Sequence, residues 1–342
     1  MSGTSLDGVD AVLLSEDCQQ VLADYYLPYA PALKAALLTL TQGGQTSLAN
    51  LAALDRQVAE HFAQAARYLI DNTEHDVQAI GSHGQTIYHQ GAVYSQQIGH
   101  GALIAELTGV DVVSDFRMAD VAALGQGAPL TPLYHQYLLD GASGVVVNLG
   151  GIANLTLVEG EQVTGFDSGP ANTLMDNWIR THKGVDFDRD GIWARSGFVM
   201  PELLEALLAD AYFQAPYPKS TGPEYFNLDW LAKHLPDEYQ AADVARTLIE
   251  LSVLSISAHI PEGMPIYLCG GGVHNLFLAE RLAYENPQSE VGTTADLGVH
   301  VDFVEAAAFA FFAKQTLNKQ PSNLPSVTGA NKPKILGAIH AA

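Results

Sequence analysis

The stretch from Val145 to Asn172 constrains this chain more than any other. It opens on three valines, Val145 to Val147, a β-branched run of the kind that forms a buried strand. Asn148-Leu149-Gly150-Gly151 breaks the run, and Leu155 to Val158 reads as a second, returning strand. Glu159-Gly160-Glu161 turns the chain again, and Gln162 to Phe166 makes a third strand. Two adjacent glycines at the first bend let a backbone approach a phosphate closely and adopt positive φ. Asp167 comes next, fixed by the turn Ser168-Gly169-Pro170 at a strand end, where α/β proteins place their chemistry. The same residues fit a plain β-meander with a solvated aspartate, and by themselves they support both readings equally.

The chain has 342 residues, which is long for one core, so two domains are expected. Every apolar run is interrupted by charge, Pro or Gly, so no membrane span is expected. Met1-Ser2-Gly3-Thr4 shows neither a basic nor an apolar region, so no signal peptide is expected. Two cysteines, Cys18 and Cys269, make neither a disulfide framework nor a metal cluster, and a reduced, cytoplasmic setting fits them. The formal charge is −22, from 38 acidic and 16 basic residues, which repels DNA or RNA over most of the surface. A phosphate ligand must then be held by backbone N–H groups, metal and a few local cations.

A polar, Gly-bracketed loop, Gly3 to Gly8, runs straight into a strand, Val9 to Leu14. It carries Thr4 and Ser5 as donors and has Asp7 and Asp10 as carboxylates, a set that suits a triphosphate with Mg²⁺. No Lys is present, so it is not a Walker-type loop. Taken alone it is more simply an N-terminal turn. Paired with Asn148 to Asn154, it suggests a duplicated scaffold gripping one nucleotide from two sides.

Ala49 to Asp71 is an amphipathic helix and Val77 to Ile80 a short strand, which leads into Gly81-Ser82-His83-Gly84-Gln85-Thr86. His83 and Gln85 can serve a sugar or simply cap the loop, and His83, His89 and His100 lack zinc-site spacing. Val110 to Phe116 reads as a strand that continues to Asp120. If it stays extended, Asp115 and Arg117 share a face. Arg117 then clamps an anion or sugar oxygen, or pairs with Asp115 or Asp120. Gly125 to Leu130 reads as a hinge. Asp186 to Gly191 imitates an EF-hand start, but its twelfth position is Gly197, so a polar interdomain loop is expected rather than a calcium site. Gly270-Gly271-Gly272 follows the strand Pro265 to Leu268 and leaves room for an adenine or ribose. Glu305, three residues after Asp302, has a capping-box role as its simpler explanation.

Seven motifs stand in order: Gly-Thr-Ser-Leu-Asp-Gly-Val-Asp, Ser-His-Gly-Gln-Thr, Gly-Gln-Gly-Ala-Pro-Leu, Asn-Leu-Gly-Gly-Ile-Ala-Asn, Phe-Asp-Ser-Gly-Pro-Ala-Asn, Cys-Gly-Gly-Gly-Val-His-Asn and Glu-Ala-Ala-Ala-Phe-Ala. Together they resemble the anhydro-N-acetylmuramic acid kinase family over essentially the whole chain. The resemblance implies an α/β, two-domain actin-like ATPase (ribonuclease H-like) fold with an interdomain nucleotide cleft. Expected domains are 1–130 and 131–342, the last helix and tail being able to pack back on the first. It implies ATP and Mg²⁺ as cofactors, a small-molecule sugar substrate, a homodimer, and a role in cell-wall sugar recycling.

Residue by residue, the resemblance implies that Gly3, Thr4, Ser5, Leu6, Asp7, Gly8, Val9 and Asp10 form a first ATP loop, with Asp7 reaching Mg²⁺ through water. Asn148, Gly150, Gly151 and Asn154 belong to a second phosphate loop, and Gly270, Gly271 and Gly272 to an adenosine pocket. Asp167 matches the catalytic base, Arg117 and Glu305 sugar-site positions, with His83 and Gln85 beside them. Family members carry a few strand residues before Met-Ser-Gly-Thr, so an apolar strand there is expected to tighten ATP binding. Leu124 and Ala171 stand where the family usually has glycine. An ordinary sugar kinase with Asp167 as base is a second reading. A nucleotide-gated binding protein is a third, disfavoured because no peptide-binding region follows the ATPase core.

Overall fold

The structure, a computed structural model, describes every residue of the chain except Thr4 and Pro218. In order, the elements are β1 (Gly8–Leu14), β2 (Val21–Pro28), α1 (Pro31–Thr41), α2 (Leu48–Asp71), β3 (Ile80–Gly81), β4 (Gln85–Gln90), β5 (Tyr94–Ile98), α3 (Gly101–Thr108), β6 (Val112–Ser114), α4 (Met118–Val121) and α5 (Pro132–Leu138). Next are β7 (Gly144–Leu149), β8 (Ile152–Glu159), β9 (Gln162–Pro170), α6 (Asn172–Lys183), α7 (Ile192–Arg195), α8 (Pro201–Leu208), α9 (Ala211–Gln214), α10 (Leu228–Ala232) and α11 (Ala241–Ser257). The chain closes with β10 (Ile266–Cys269), α12 (Leu276–Glu285), β11 (Val291–Thr293), α13 (Val304–Leu317), α14 (Pro325–Thr328) and β12 (Ala338–His340). It divides into two units, Met1–Tyr134 with Phe303–Ala342, and His135–Asp302. Phe303 onward, counted above with the second domain but allowed to pack back on the first, lies in the first unit.

The second unit is built on a five-stranded sheet in the order β11-β10-β7-β8-β9. β7, β8 and β9 are an antiparallel meander, while β10 runs parallel to β7 and β11 parallel to β10. This order, three-two-one followed by two parallel strands, is the ribonuclease H-like pattern. Val145, Val146 and Val147 are completely buried, as strands covered on both faces require. α11 packs on β8 and β9 and meets α6, α7, α8 and α12, so its own apolar surface is buried almost all round.

In β9 the ladder runs on past Phe166, pairing Pro170 with Ile152. Asp167 thus lies inside a strand and not on a turn after one. Ser168-Gly169-Pro170 has turn chemistry, but on the edge of a sheet cross-strand pairing overrides it, and Pro at the strand's end is tolerated there. The expected interdomain loop, Asp186 to Gly191, lies within the second unit. Asp188 there caps α7 through the Trp193 and Ala194 amides.

In the first unit β1 and β2 form an antiparallel pair, β12-β6-β3 a three-stranded sheet, and β4-β5 a hairpin. The amphipathic α2 buries Val58, Phe62 and Leu69 and packs on β1, β2 and β5. α13, apolar on most faces, packs on β1, β3 and β6. Two expected strands are shorter. Val77 to Ala79 lie outside β3, and β6 stops at Ser114 because Asp115 turns to φ 58°. Arg117 takes helical angles before α4, so it does not share an extended face with Asp115. Among the described residues no helix is long and apolar enough to cross a membrane.

Candidate active site

Asp167 is anchored at both carboxylate oxygens and at both of its main-chain groups. In the β8–β9 ladder Asn154 faces Asp167 and Ala153 faces Gly169, so Ser168 is an extra residue, a β-bulge. A bulge resets which way side chains point, and bulges gather beside active sites for that reason. The Asn154 side-chain amide donates to Asp167 Oδ1. The Thr221 backbone N–H donates to Oδ2 at 2.9 Å. Tyr212 donates its hydroxyl to the Asp167 carbonyl at 2.7 Å, and the Asp167 N–H donates to the Lys219 carbonyl at 2.9 Å. Burial pushes the Asp167 carboxyl above its usual range, and the donors from Thr221 and Asn154 pull it back. A carboxylate held this way is a proton acceptor of set direction and raised basicity.

The second loop joins β7 to β8, with Asn148 opposite Asn154. Neither Gly150 nor Gly151 has positive φ, contrary to expectation. The bend is made by their carbonyls, which accept from the Ala171, Asn172 and Thr173 amides at 3.0 Å each. Space explains Gly151, since a Cβ there would fall 2.5 Å from Thr173 Oγ1. Gly270 does need glycine, with φ +81° and a virtual Cβ 2.2 Å from Asn148 Oδ1. Gly272 packs against Leu149, while nothing lies within 4 Å of a Cβ on Gly271. The turn therefore grips β7 on one side and presents bare backbone at Gly271. It continues as a 3-10 turn, Gly271–His274, and Asn275 caps α12.

In the first unit the loop before β1 places Leu6 and Val9 in the core, at 1% and 2% exposure, so only their backbone can serve a ligand. Thr4 lies outside the described residues. Ser5 and Asp7 are exposed, and Asp7 pairs with Lys34 of α1, a cation that no motif announced. Gly8 leaves no room for a side chain, because a Cβ would meet the Leu27 carbonyl at 2.4 Å. Met1 bonds Asp10 through both backbone groups at 2.8 Å.

Gln85 is buried and engaged with this loop. It accepts from Ser2 Oγ at 2.6 Å and donates to the Gly3 carbonyl at 3.3 Å. His83 is buried against Phe309. Its Nδ1 lies 2.9 Å from the Gly84 carbonyl, which makes that nitrogen the donor, and Nε2 accepts from Arg117 Nε at 2.9 Å. Burial first, then Arg117, holds His83 well below its usual range, so it stays neutral. Arg117 also donates to the Gly127 carbonyl at 3.2 Å and not to Asp115 or Asp120.

Burial lowers the Arg117 pKa and raises that of Glu305, and each counters the other's shift electrostatically. Glu305 is no capping-box residue, because α13 has Phe303 at its cap position and Asp302 instead accepts from His274. The loop read as a hinge is pinned inside this unit. Asp120 accepts from the Gly127 N–H, Asn323 and Thr328, and Gln126 donates to the Thr328 carbonyl. Sequence reasoning missed Lys34, Tyr212, Lys219 and Thr221, because each acts through a partner remote in sequence, and it named Asp120 only as a partner for Arg117.

A family model described as anhydro-N-acetylmuramic acid kinase matches residues 1–342. A protein of that name from Aliivibrio fischeri is 44% identical over 361 residues, spanning 100% of this chain and 98% of that protein. One from Nitrosomonas europaea is 45% identical over 357 residues, again spanning 100% and 98%. Among solved structures, the activator of the 2-hydroxyisocaproyl-CoA dehydratase from Clostridium difficile with bound ADPNP is 9% identical, with a TM-score of 0.42, over 90% of this chain and 92% of that one.

Proposed function

The chain belongs to the anhydro-N-acetylmuramic acid kinase family, and from that premise we propose that Asp167 is the base of its reaction. The observation that carries this is the anchoring of Asp167 by its main chain and by both carboxylate oxygens, with burial raising its basicity. In the substrate, O6 is tied to C1, so no free hydroxyl exists there. Water adds to C1 and gives a proton to Asp167, and the C1–O6 bond breaks. O6 bonds the γ-phosphorus as the bond to ADP breaks. Water is a poor nucleophile and needs such a base within hydrogen-bond reach.

ATP is the donor in this reading. The backbone of Gly3 to Asp10 and of Asn148 to Gly151 binds its phosphates, and Gly270 to Gly272 its adenosine. Glycine turns suit this because N–H groups can approach phosphate without side chains intervening. Among the described residues no three carboxylate, His or Cys groups converge as a metal cage. That donor set fits a magnesium ion held mainly by phosphate and water, with Asp7 contributing through water. Such an ion supplies charge neutralisation at the phosphoryl group.

Arg117 and Glu305 take the sugar. His83 and Gln85, which the sequence offered either to the sugar or as loop caps, act from behind, on Arg117 and on the Ser2 hydroxyl and Gly3 carbonyl. A cytoplasmic homodimer serving cell-wall sugar recycling completes the proposal. The test is Asp167→Asn with ¹⁸O-labelled water. The variant should keep fold and sugar binding and lose about 10²-fold or more in kcat. In the unaltered protein the label should appear on C1. Label on phosphate, or near-normal turnover by the variant, would remove Asp167 from this role.

A further inference from the structure

We propose that Asn154 and Thr221 are positioning residues for the base, orienting the Asp167 carboxylate and keeping it deprotonated until it takes the proton. The inference rests on the reading of Asp167 given above. Resemblance assigned Asn154 to the phosphate loop, and Thr221 belongs to no motif. The geometry points elsewhere. Asn154 stands directly across the ladder from Asp167, and the bulge at Ser168 brings the two side chains together. With one amide N–H on Oδ1, Asn154 is oriented by Asp167, and only its second N–H remains for another acceptor.

Thr221 reaches Oδ2 from a segment with no regular structure, which is tied along β9 by the Asp167 N–H to Lys219 carbonyl bond. Its hydroxyl is buried without a partner among the described residues, a place where an incoming water could complete the set. Two donors on two oxygens leave each oxygen a further lone pair for the water proton. The titratable neighbours are Tyr212 and Lys219. The Tyr212 hydroxyl is directed to the Asp167 carbonyl, and the Lys219 ammonium to the Tyr212 and Phe213 carbonyls. Neither neutralises the carboxylate by a direct bond. Hydrogen bonds to the charged form therefore offset the desolvation that would otherwise favour a protonated acid.

The experiment is the pH profile of kcat/KM for ATP-dependent phosphorylation of 1,6-anhydro-N-acetylmuramic acid, whose acid limb reports the base in the free enzyme. Losing one donor raises the carboxyl pKa. Asn154→Ala and Thr221→Pro should each move the acid limb upward by about one pH unit, with activity returning above it. Asn154→Asp, which sets a like charge beside Asp167, should move it further. Thermal melting and calorimetric sugar titration check the fold. If Asn154→Ala does not melt cooperatively, Asn154→Ser must show the same upward move. An unmoved limb with an equal loss at every pH would overturn the inference. An Asp167→Asn variant that stays active with the same limb would instead overturn the reading of the base.

Discussion

Leu124 carries φ 67°, a left-handed backbone that side-chained residues adopt at a cost of about 1–2 kcal/mol. It is 63% exposed, so its side chain contributes little burial in return. Glycine removes the strain but adds about 0.5–1 kcal/mol of unfolded-state entropy. Leu124→Gly should therefore stabilise the protein by roughly 0.5–1 kcal/mol in urea titration. Destabilisation would mean that the exposed leucine packs on something in solution. The family resemblance implied a glycine at this position, but the positive φ that would explain it was not legible in the sequence.

His135 shows the opposite kind of cost. It is buried with Nδ1 2.8 Å from Thr156 Oγ1, and burial pushes its pKa down to about 3. The unfolded chain has this His near 6.5, so below that pH the unfolded state binds the extra proton. Stability present above pH 6.5 is then lost as pH falls toward about 3. The slope contributed is about 1.4 kcal/mol per pH unit. His135→Gln should flatten the curve by that amount between pH 6 and 4 in urea melts, and an unchanged slope would assign the acid sensitivity to other groups. No motif marked this residue, because its burial depends on packing between elements.

Among the elements, β1 and β3 stand apart in a way that invites a specific change. A cavity of about 660 Å³ lies in the first unit between them, bordered by Val12 and Leu14, by Ala79 and Gly81, and by Phe62 and Ala310. Met1 and Asp10 exchange both backbone bonds, as the first rung of an antiparallel ladder does. By the alternation of that ladder, Val12 and Leu14 also turn their N–H and C=O groups to the cavity. Helices α2 and α13 both line it, so a strand seated there would be apolar on both faces.

Adding four or five apolar residues before residue 1 should fill this slot. The melting temperature should rise and calorimetric titration should show tighter ATP binding, because the ladder leads directly into the first loop. Equal values for both chains would show that the slot is no strand seat. The hairpin strands and the long helices were legible from period and β-branching. The space between β1 and β3 was foreseen only through the family resemblance, as an apolar strand expected ahead of the first loop, since no local pattern records what lies beside an edge.

At the scale of the whole molecule, the second unit is one continuous segment, whereas the first is assembled from two segments at opposite ends of the chain. The sequence reading left open where the last helix packs, because α13 is apolar on nearly every face and favours no one core by pattern. Each unit has its own hydrophobic cluster, which is the basis for separate unfolding. All three tryptophans, Trp178, Trp193 and Trp230, fall in the second unit, so tryptophan emission reports that unit while far-UV circular dichroism reports both. Phe312 of α13 is completely buried, and Phe312→Ala should cost about 3–5 kcal/mol in the first unit. In urea, that variant should lose part of its dichroism early while the tryptophan midpoint stays in place. The first unit must also close a loop around 168 residues, from 135 to 302, before α13 can dock, and distant pairing slows folding. On refolding, tryptophan emission should therefore recover before the last dichroism amplitude. If Phe312→Ala instead shifts both signals together, the two units unfold as one cooperative block and the separate cores do not make separate folding units.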